Sequence, residues 1–453
     1  MELRRAPTFV GKNDMRGQQS WWSVLVAVML GGLVGVTAVA AAGEQFLPSL
    51  GVREGALKSV GIPQGNGSID YVTLLNERDG GINGVSLVWE ECETVYDVTR
   101  GVACYERLKG KGPTGAAAMG VLGTPLVYAL TERATHDQIP LISPGIGRAD
   151  AADGRVFPYI FTPPSNYWSQ NTAKLRFIGQ RVGGMAQLRG LKIAHVYMEN
   201  DYGRETRAIL DHQGARYGFA VQHLAVPLPG LDQKATWLRV KVAQPDWVIL
   251  RTTGVMTMTA LKEAAQIGVP RDKIVGAWPT CTEESVVPAG EAARGSICAA
   301  LHGTGRHFPL IQDILKYVYA QGKGAGPEEE VGTTRWSHGV VRALLTTEAI
   351  RTAMRHFGHQ PLTGVQMQWG LEHLTLTQTY LKEIGAEGLL PPLTLSCRDH
   401  EGGGGVKFQQ WDGTQWTVLT DWITPDQALV RPLVEASAAK YAQEKGITPR
   451  TCP

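Results

Sequence analysis

Short runs of aliphatic and β-branched residues alternate with helix-like segments along most of this 453-residue chain. Between the runs at residues 247–250 and 273–278, residues 257–268 carry apolar side chains three or four positions apart and end on a glycine. This pattern is typical of an amphipathic helix. Strands separated by such helices form βαβ units, so the pattern predicts an α/β fold with parallel sheets. The predicted strands are residues 85–89, 140–143, 191–197, 247–250 and 273–278.

The pattern changes toward the C-terminus. Residues 335–356 predict a longer helix. Residues 406–411 and 416–419 predict two short strands, and the Asp412-Gly413 pair between them favours a hairpin turn.

The N-terminus carries the pattern of an export signal, because four basic residues precede an apolar run, residues 21–42, that ends in small residues. We expect residues 1–42 to be a signal peptide, cleaved before Gly43 or before Ala41, and the mature protein to work in the periplasm. The run is also long enough to span a bilayer, so an uncleaved anchor is the alternative. The basic residues are Arg4, Arg5, Lys12 and Arg16.

The charge balance excludes one class of partner. Residues 1–42 hold four of the 44 basic and two of the 42 acidic residues, so the rest of the chain is formally neutral. A neutral chain gives no electrostatic support to nucleic-acid binding, and we expect no nucleic-acid partner.

All six cysteines lie after the predicted signal peptide, and none has the spacing of a zinc site. An even number of cysteines in an exported protein suggests disulfides, although free buried thiols are the alternative. Sequence alone cannot choose among the possible pairings, but proximity favours Cys92–Cys104 and Cys281–Cys298, which leaves Cys397–Cys452.

In open α/β sheets, ligands bind beyond the carboxyl ends of the strands. The loops expected there are rich in small, hydroxyl-bearing and aromatic residues, which suit hydrogen bonding and stacking on a small ligand. These loops are residues 123–125, 143–147, 199–203, 252–254 and 278–280.

Several motifs occur in an order and spacing typical of one family. They are the sequence Leu-Asn-Glu-Arg-Asp-Gly-Gly-Ile-Asn-Gly at residues 75–84, Ile-Pro-Leu-Ile-Ser-Pro at 139–144, Asp-Tyr-Gly at 201–203, Gln-Pro-Asp at 244–246, Ala-Gln-Ile-Gly at 265–268 and Gln-Trp-Asp-Gly at 410–413. Across essentially all of the mature chain, the sequence resembles the type I periplasmic solute-binding proteins of ABC importers, in the branched-chain amino-acid-binding (Leu/Ile/Val-binding) family.

This resemblance implies two Rossmann-like lobes with parallel sheets, joined by a three-crossover hinge and closing on a solute. The first lobe would be residues 43–162 plus 302–404, and the second 163–301 plus 405–453. The resemblance also implies a monomer without a cofactor, which delivers a small polar, organic-acid or amino-acid-like solute to the permease subunits of an ABC importer.

The resemblance implies ligand contacts from both lobes. Core packing is the alternative role for the aromatic residues Trp168, Tyr202 and Trp278. The implied contacts are Leu122, Gly123, Thr124, Gly145, Ile146 and Gly147 from the first lobe, and Tyr167, Trp168, Tyr202, Thr253 and Trp278 from or next to the second.

One position departs from the family pattern. Amino-acid-binding members place a carboxylate for the ligand ammonium where this chain has Trp278, and the nearest acids are Glu283 and Glu284. Arg148 and Arg251 beside the loops would favour a carboxylate solute. We therefore expect an organic or aromatic acid, an amide, or an amino acid that is held in another way than through its ammonium.

Two other classes of protein remain as alternatives. An exported enzyme should show catalytic motifs, and the common nucleophile-elbow, phosphate-loop and metalloprotease signatures are missing, so we expect no catalytic residues. His302, His307 and residues 399–401 resemble metal ligands only superficially and fit polar turns better, so no metal site is expected. A membrane-tethered sensory ectodomain of the same fold would require the uncleaved anchor.

Overall fold

The computed structural model describes residues 43–452. The predicted signal peptide, residues 1–42, therefore lies outside the described residues. Among the helices within them, none combines the length and the apolar character that crossing a membrane requires.

The described chain alternates strands and helices from its first element to its last. The strands are β1 (Glu44–Gly51), β2 (Ser86–Glu93), β3 (Met119–Val121), β4 (Leu141–Ile142), β5 (Ile160–Phe161), β6 (Lys192–Met198), β7 (Ala220–Val226), β8 (Trp247–Arg251), β9 (Ile274–Gly276), β10 (Ile297–Ala300), β11 (Thr375–Leu376), β12 (Leu393–Thr394), β13 (Lys407–Trp411) and β14 (Trp416–Val418). The helices are α1 (Lys58–Asp79), α2 (Val98–Leu108), α3 (Thr124–Asp137), α4 (Tyr167–Arg181), α5 (Asp201–Arg204), α6 (Arg207–Tyr217), α7 (Lys234–Ala243), α8 (Val255–Gln266), α9 (Glu283–Val286), α10 (Pro309–Tyr317), α11 (Thr334–Phe357), α12 (Gly364–Glu372), α13 (Gln378–Glu383) and α14 (Gln427–Lys445).

Two sheets form the centres of two lobes. The first has five parallel strands in the order β2-β1-β3-β4-β5. The second has seven strands in the order β14-β13-β10-β9-β8-β6-β7, parallel from β10 to β7 and closed at the other edge by the antiparallel β13–β14 hairpin. The predicted α/β class with two lobes and parallel-dominated sheets is confirmed.

The chain passes between the two sheets several times. It leaves the first sheet after β5, packs α10 and α11 into the core beside that sheet after β10, and enters the second sheet again at β13. Helix α14 follows the second sheet, yet its Ala438 and Ala442 pack into the core beside Leu130 and Ala134 of α3. The boundaries of the two lobes stay a prediction.

Two glycines allow the long helices α1 and α11 to pack backbone to backbone. A Cβ on Gly67 would lie 2.0 Å from the carbonyl oxygen of Trp336, and a Cβ on Gly339 would lie 2.0 Å from that of Gln64. Both distances are far below van der Waals contact, so only glycine permits this approach. The close contact fixes the start of α11, which lies at the cleft between the lobes.

All six cysteines are paired as predicted. The Cα atoms of Cys92 and Cys104 are 5.7 Å apart, and those of the other two pairs, Cys281–Cys298 and Cys397–Cys452, are 5.6 Å apart. The third disulfide fixes the C-terminal segment that follows α14.

Candidate functional site

A small cavity of about 40 Å³ lies between loops at the carboxyl ends of the two sheets. Seven of the predicted contact residues line it, together with five residues that were not among the predicted contacts. The predicted ones are Leu122, Gly123, Thr124, Ile146, Tyr167, Tyr202 and Thr253, and the additional ones are Leu57, Val60, Tyr96, Pro279 and Arg335. Most of these side chains are apolar or aromatic, which is typical of a small-molecule site.

The loop before α3 forms one wall of the cavity. Gly123 has a φ of 127°, and a Cβ there would lie 3.0 Å from the Tyr96 ring. Such a conformation strongly favours glycine. The next residue, Thr124, shares a hydrogen bond of 3.2 Å with the hydroxyl of Tyr167, which joins this wall to the opposite one.

Two tyrosines form the opposite wall, and a buried arginine supports them. The ring centroids of Tyr167 and Tyr202 are 5.7 Å apart with an edge-on geometry. The Arg251 guanidinium carbon lies 3.9 Å from the centroid of the Tyr167 ring and 4.3 Å from that of Tyr202, and its Nε donates to the Tyr202 carbonyl. This predicted carboxylate partner therefore lies behind the tyrosines and does not line the cavity.

Arg335, near the start of α11, is the charged residue among those that line the cavity. Its Nη2 donates to Thr253 Oγ1 at 2.8 Å and to the Pro279 carbonyl at 2.7 Å, and its Nε lies 3.0 Å from Glu284 Oε1. The side chain is 2% exposed. Glu284 therefore offsets part of this charge, and the Nη1 group, which donates to no other described residue, is the donor left for a ligand carboxylate.

Both nearby carboxylates are engaged outside the cavity. Glu284 pairs with Arg335, and Glu283 accepts hydrogen bonds from the backbone N–H and the hydroxyl of Thr334. Burial raises the pKa of Glu283. No carboxylate belongs to the residues found to line the cavity, so an ammonium group there would meet no counter-charge.

The remaining predicted contacts lie next to the cavity rather than on it. Trp278 is buried, stacks on His338 with ring centroids 4.0 Å apart, and donates its indole N–H to the Gly145 carbonyl at 3.2 Å. Gly147 packs against Val127. The Trp278–Gly145 bond joins elements of the two sheets, so Trp278 and Gly145 contribute to closure of the cleft.

A second polar contact between the lobes involves Glu205, in the chain between α5 and α6. Its carboxylate accepts from the Tyr128 hydroxyl at 2.5 Å and from the backbone N–H of Ala149 at 2.6 Å. Burial, with the Asp150 carboxylate nearby, raises the pKa of Glu205 to about 7. Trp168 donates to the Glu205 carbonyl at 2.8 Å and borders a separate surface pocket instead of the cleft.

The other candidate polar groups have structural partners. Arg148 pairs with Asp150 through two hydrogen bonds. His400 contacts the Ile160 carbonyl and Glu372, and Glu401 accepts from Asn166 and Ser169. Within residues 43–452, no group of three or more His, Cys, Asp or Glu side chains could hold a metal ion.

Two lobes that enclose a small, largely apolar cavity are the arrangement of a protein that binds a ligand between its lobes. The chain belongs to the periplasmic binding protein family, because the family model described as "Periplasmic binding protein" matches residues 45–415. A search of curated proteins found no match.

Solved structures share the fold of this chain. A protein from the Pseudomonas fluorescens group, described as an ABC transporter permease, is 43% identical, and the match covers 91% of this chain and 100% of that chain with a TM-score of 0.86. A branched chain amino acid ABC transporter from Thermus thermophilus with bound valine is 20% identical over 86% and 98% of the two chains, with a TM-score of 0.71. An ABC transporter solute binding protein from R. palustris in complex with benzoate is 15% identical over 84% and 97%, with a TM-score of 0.66. The last two show similarity of fold.

Proposed function

We propose that this protein is an extracytoplasmic solute-binding protein that delivers a small organic acid with an apolar or aromatic body to an ABC importer. Membership of the periplasmic binding protein family supports the general role. The export pattern in residues 1–42 supports a periplasmic location, and the permease subunits of the importer would be its protein partners.

The composition of the cleft carries the choice of solute. The cavity combines aromatic and aliphatic walls with one guanidinium, that of Arg335, and lacks a carboxylate among its lining residues. An apolar body would pack on Tyr167, Tyr202 and Leu122, and a carboxylate would pair with the guanidinium. A zwitterionic amino acid would also bring an ammonium, and burying it without a counter-charge costs several kcal/mol.

Distant proteins of the same fold hold either kind of ligand. The Thermus thermophilus structure contains valine, whereas the R. palustris structure contains benzoate. For this chain, two observations favour an organic acid over an amino acid. Trp278 stands where a carboxylate is expected, and both Glu283 and Glu284 are engaged outside the cavity.

A thermal-shift screen of the mature protein tests this function. The compounds are aromatic carboxylates, short aliphatic carboxylates, the matching amides and the branched-chain amino acids. We expect carboxylates to raise the melting temperature, because a ligand that binds only the folded state stabilises it. We expect the compound recovered from the protein to be unchanged by NMR.

Two outcomes would contradict the proposal. Chemical conversion of a bound carboxylate would indicate an enzyme. A rise in melting temperature with branched-chain amino acids, and none with the aromatic or short aliphatic carboxylates, would show that the guanidinium does not select the solute.

A further inference from the structure

A second and larger cavity, of about 580 Å³, lies where the chain crosses between the two sheets. One wall consists of β10, β13 and β14 at the edge of the second sheet. The other consists of residues 303–309 and 385–388, whose Phe308 and Ala386 pack into the core of the first lobe. This cavity shares no lining residue with the cleft, so it is a separate site.

Strand register determines which side chains face this cavity. In the ladder, Lys407 lies opposite Ala300, and Gln409 lies opposite Val418. Residues two positions apart on a strand share a face. Lys407 and Gln409 therefore point to the same side, and the buried Phe408 between them points to the other.

Two N–H donors on this wall are buried without a partner. Neither the Gln409 amide Nε2 nor the Trp416 indole Nε1 has a hydrogen-bond partner within residues 43–452. Gln409 is 3% exposed. A buried donor without an acceptor destabilises the protein, so an acceptor supplied by a ligand would remove that cost.

The charges around the cavity favour an anion. Lys382 and Lys407 line it, and neither is paired with a carboxylate among the described residues. The Lys407 ammonium lies 4.5 Å from the centroid of the Trp422 ring, a contact that leaves its charge without an anionic partner. The acid on the lining is Glu387, and its Oε1 accepts a hydrogen bond of 2.9 Å from the Gln378 side chain. Two lysines and two free N–H donors together match the acceptor oxygens of a carboxylate.

The apolar part of the wall sets the rest of the ligand. Phe308, Val418 and the Trp416 ring line the same space, and Val418 is 59% exposed. A volume of this size accommodates an organic molecule rather than a bare ion. One ligand that carries both a carboxylate and an apolar body would therefore contact both parts of the wall.

We propose that this cavity is a second binding site for a small organic carboxylate with an apolar body. The carboxylate accepts hydrogen bonds from Gln409 and Trp416 and pairs with Lys407 and Lys382. The body packs against Phe308 and Val418. This site is distinct from the cleft and does not depend on which solute the cleft binds.

The test follows the indole N–H signal of Trp416 by ¹H–¹⁵N NMR on the mature protein, with the signal assigned from the Trp416→Phe variant. The probes are 3-phenylpropanoate, its neutral amide 3-phenylpropanamide and inorganic phosphate. We expect 3-phenylpropanoate to shift the signal saturably, and the amide and phosphate to bind at least tenfold more weakly. The Lys407→Ala and Gln409→Leu variants should each weaken the response to the carboxylate by about tenfold, which corresponds to about 1.4 kcal/mol.

Two controls keep the result specific. Lys440→Ala changes an exposed lysine outside both cavities and should leave the titration unchanged. Arg335→Met alters the cleft and should also leave the Trp416 response intact. Equal binding of the amide, equal binding of phosphate, an unchanged response in Lys407→Ala, or no saturable shift of Trp416 would each overturn the proposal.

Discussion

At the scale of single residues, the position of one charged side chain determines which ligand we expect in the cleft. Arg335 brings a guanidinium to the cavity from the start of α11, and Thr253, the Pro279 carbonyl and Glu284 hold it in place. Because its partners are fixed, the guanidinium loses little conformational freedom when a ligand binds. The same geometry makes Arg335 a specificity-determining residue in the proposed function.

We predict that Glu205 makes closure of the cleft depend on pH. In the closed form its pKa is about 7, whereas an exposed carboxyl in the open form would keep the ordinary value near 4.5. A raised pKa in the closed form stabilises closure fully below the open-form pKa, and this stabilisation is lost as the pH rises through 7. Closure takes up a proton, so we expect solute affinity to fall from about pH 4.5 to about pH 7 and to level off above pH 7.

The Glu205→Gln variant isolates this contribution, because glutamine does not titrate. Its carbonyl oxygen can accept from the Ala149 N–H, and its amide NH2 can donate to the Tyr128 hydroxyl oxygen. Calorimetric titrations across the pH range should show a smaller fall in affinity for the variant than for the unmodified protein. Parallel pH profiles would rule out a role for Glu205.

At the scale of elements, the packing of α1 on α11 positions the cleft arginine. We predict that Gly67→Ala lowers the free energy of unfolding by about 1–3 kcal/mol, because the new methyl group would overlap the Trp336 carbonyl and force the helices apart. Alanine otherwise favours a helix, so a loss of stability would be due to the close approach.

Denaturant titration measures this change. Gly110→Ala, in the turn after α2, is a control for the substitution itself, since a Cβ at Gly110 has no atom within 4 Å. If both variants unfold at the same denaturant concentration, the helix contact does not constrain Gly67.

The sequence predicts the strands that are buried and rich in β-branched residues, and it misses others. The predicted strands at 191–197 and 247–250 correspond to β6 and β8. In contrast, β1 contains Pro48, which argues against a strand, and β7 contains Gln222 and His223 within a partly exposed edge strand. Local patterns do not include the neighbouring strand that pairs with such segments.

Site prediction stops where contacts depend on distant parts of the chain. Seven of the predicted contacts line the cavity, because loops after parallel strands converge. Arg335 lies on α11, which follows β10 of the second sheet in the chain. Its sequence neighbourhood indicates only the start of a helix. The sequence also could not show that Trp278 stacks on His338 instead of facing the cavity.

At the scale of the whole molecule, contacts between the lobes close around the cavity. The Trp278–Gly145, Glu205–Ala149 and Arg335–Thr253 hydrogen bonds all join elements associated with different sheets. Closure of this kind excludes water and strengthens a buried ion pair between ligand and protein. The account therefore predicts that the solute's charge, and not only its shape, determines its affinity.

Calorimetric titration of benzoate, benzamide and leucine tests this central claim most directly. The mature protein, the Arg335→Met variant and the control Arg355→Met, an exposed arginine on the same helix, would be compared. We expect benzoate to bind the unmodified protein and the control at least tenfold more tightly than benzamide, and to lose that advantage in Arg335→Met, with leucine weak throughout. Sub-micromolar binding of leucine that survives Arg335→Met, or equal binding of benzoate and benzamide, would contradict the account.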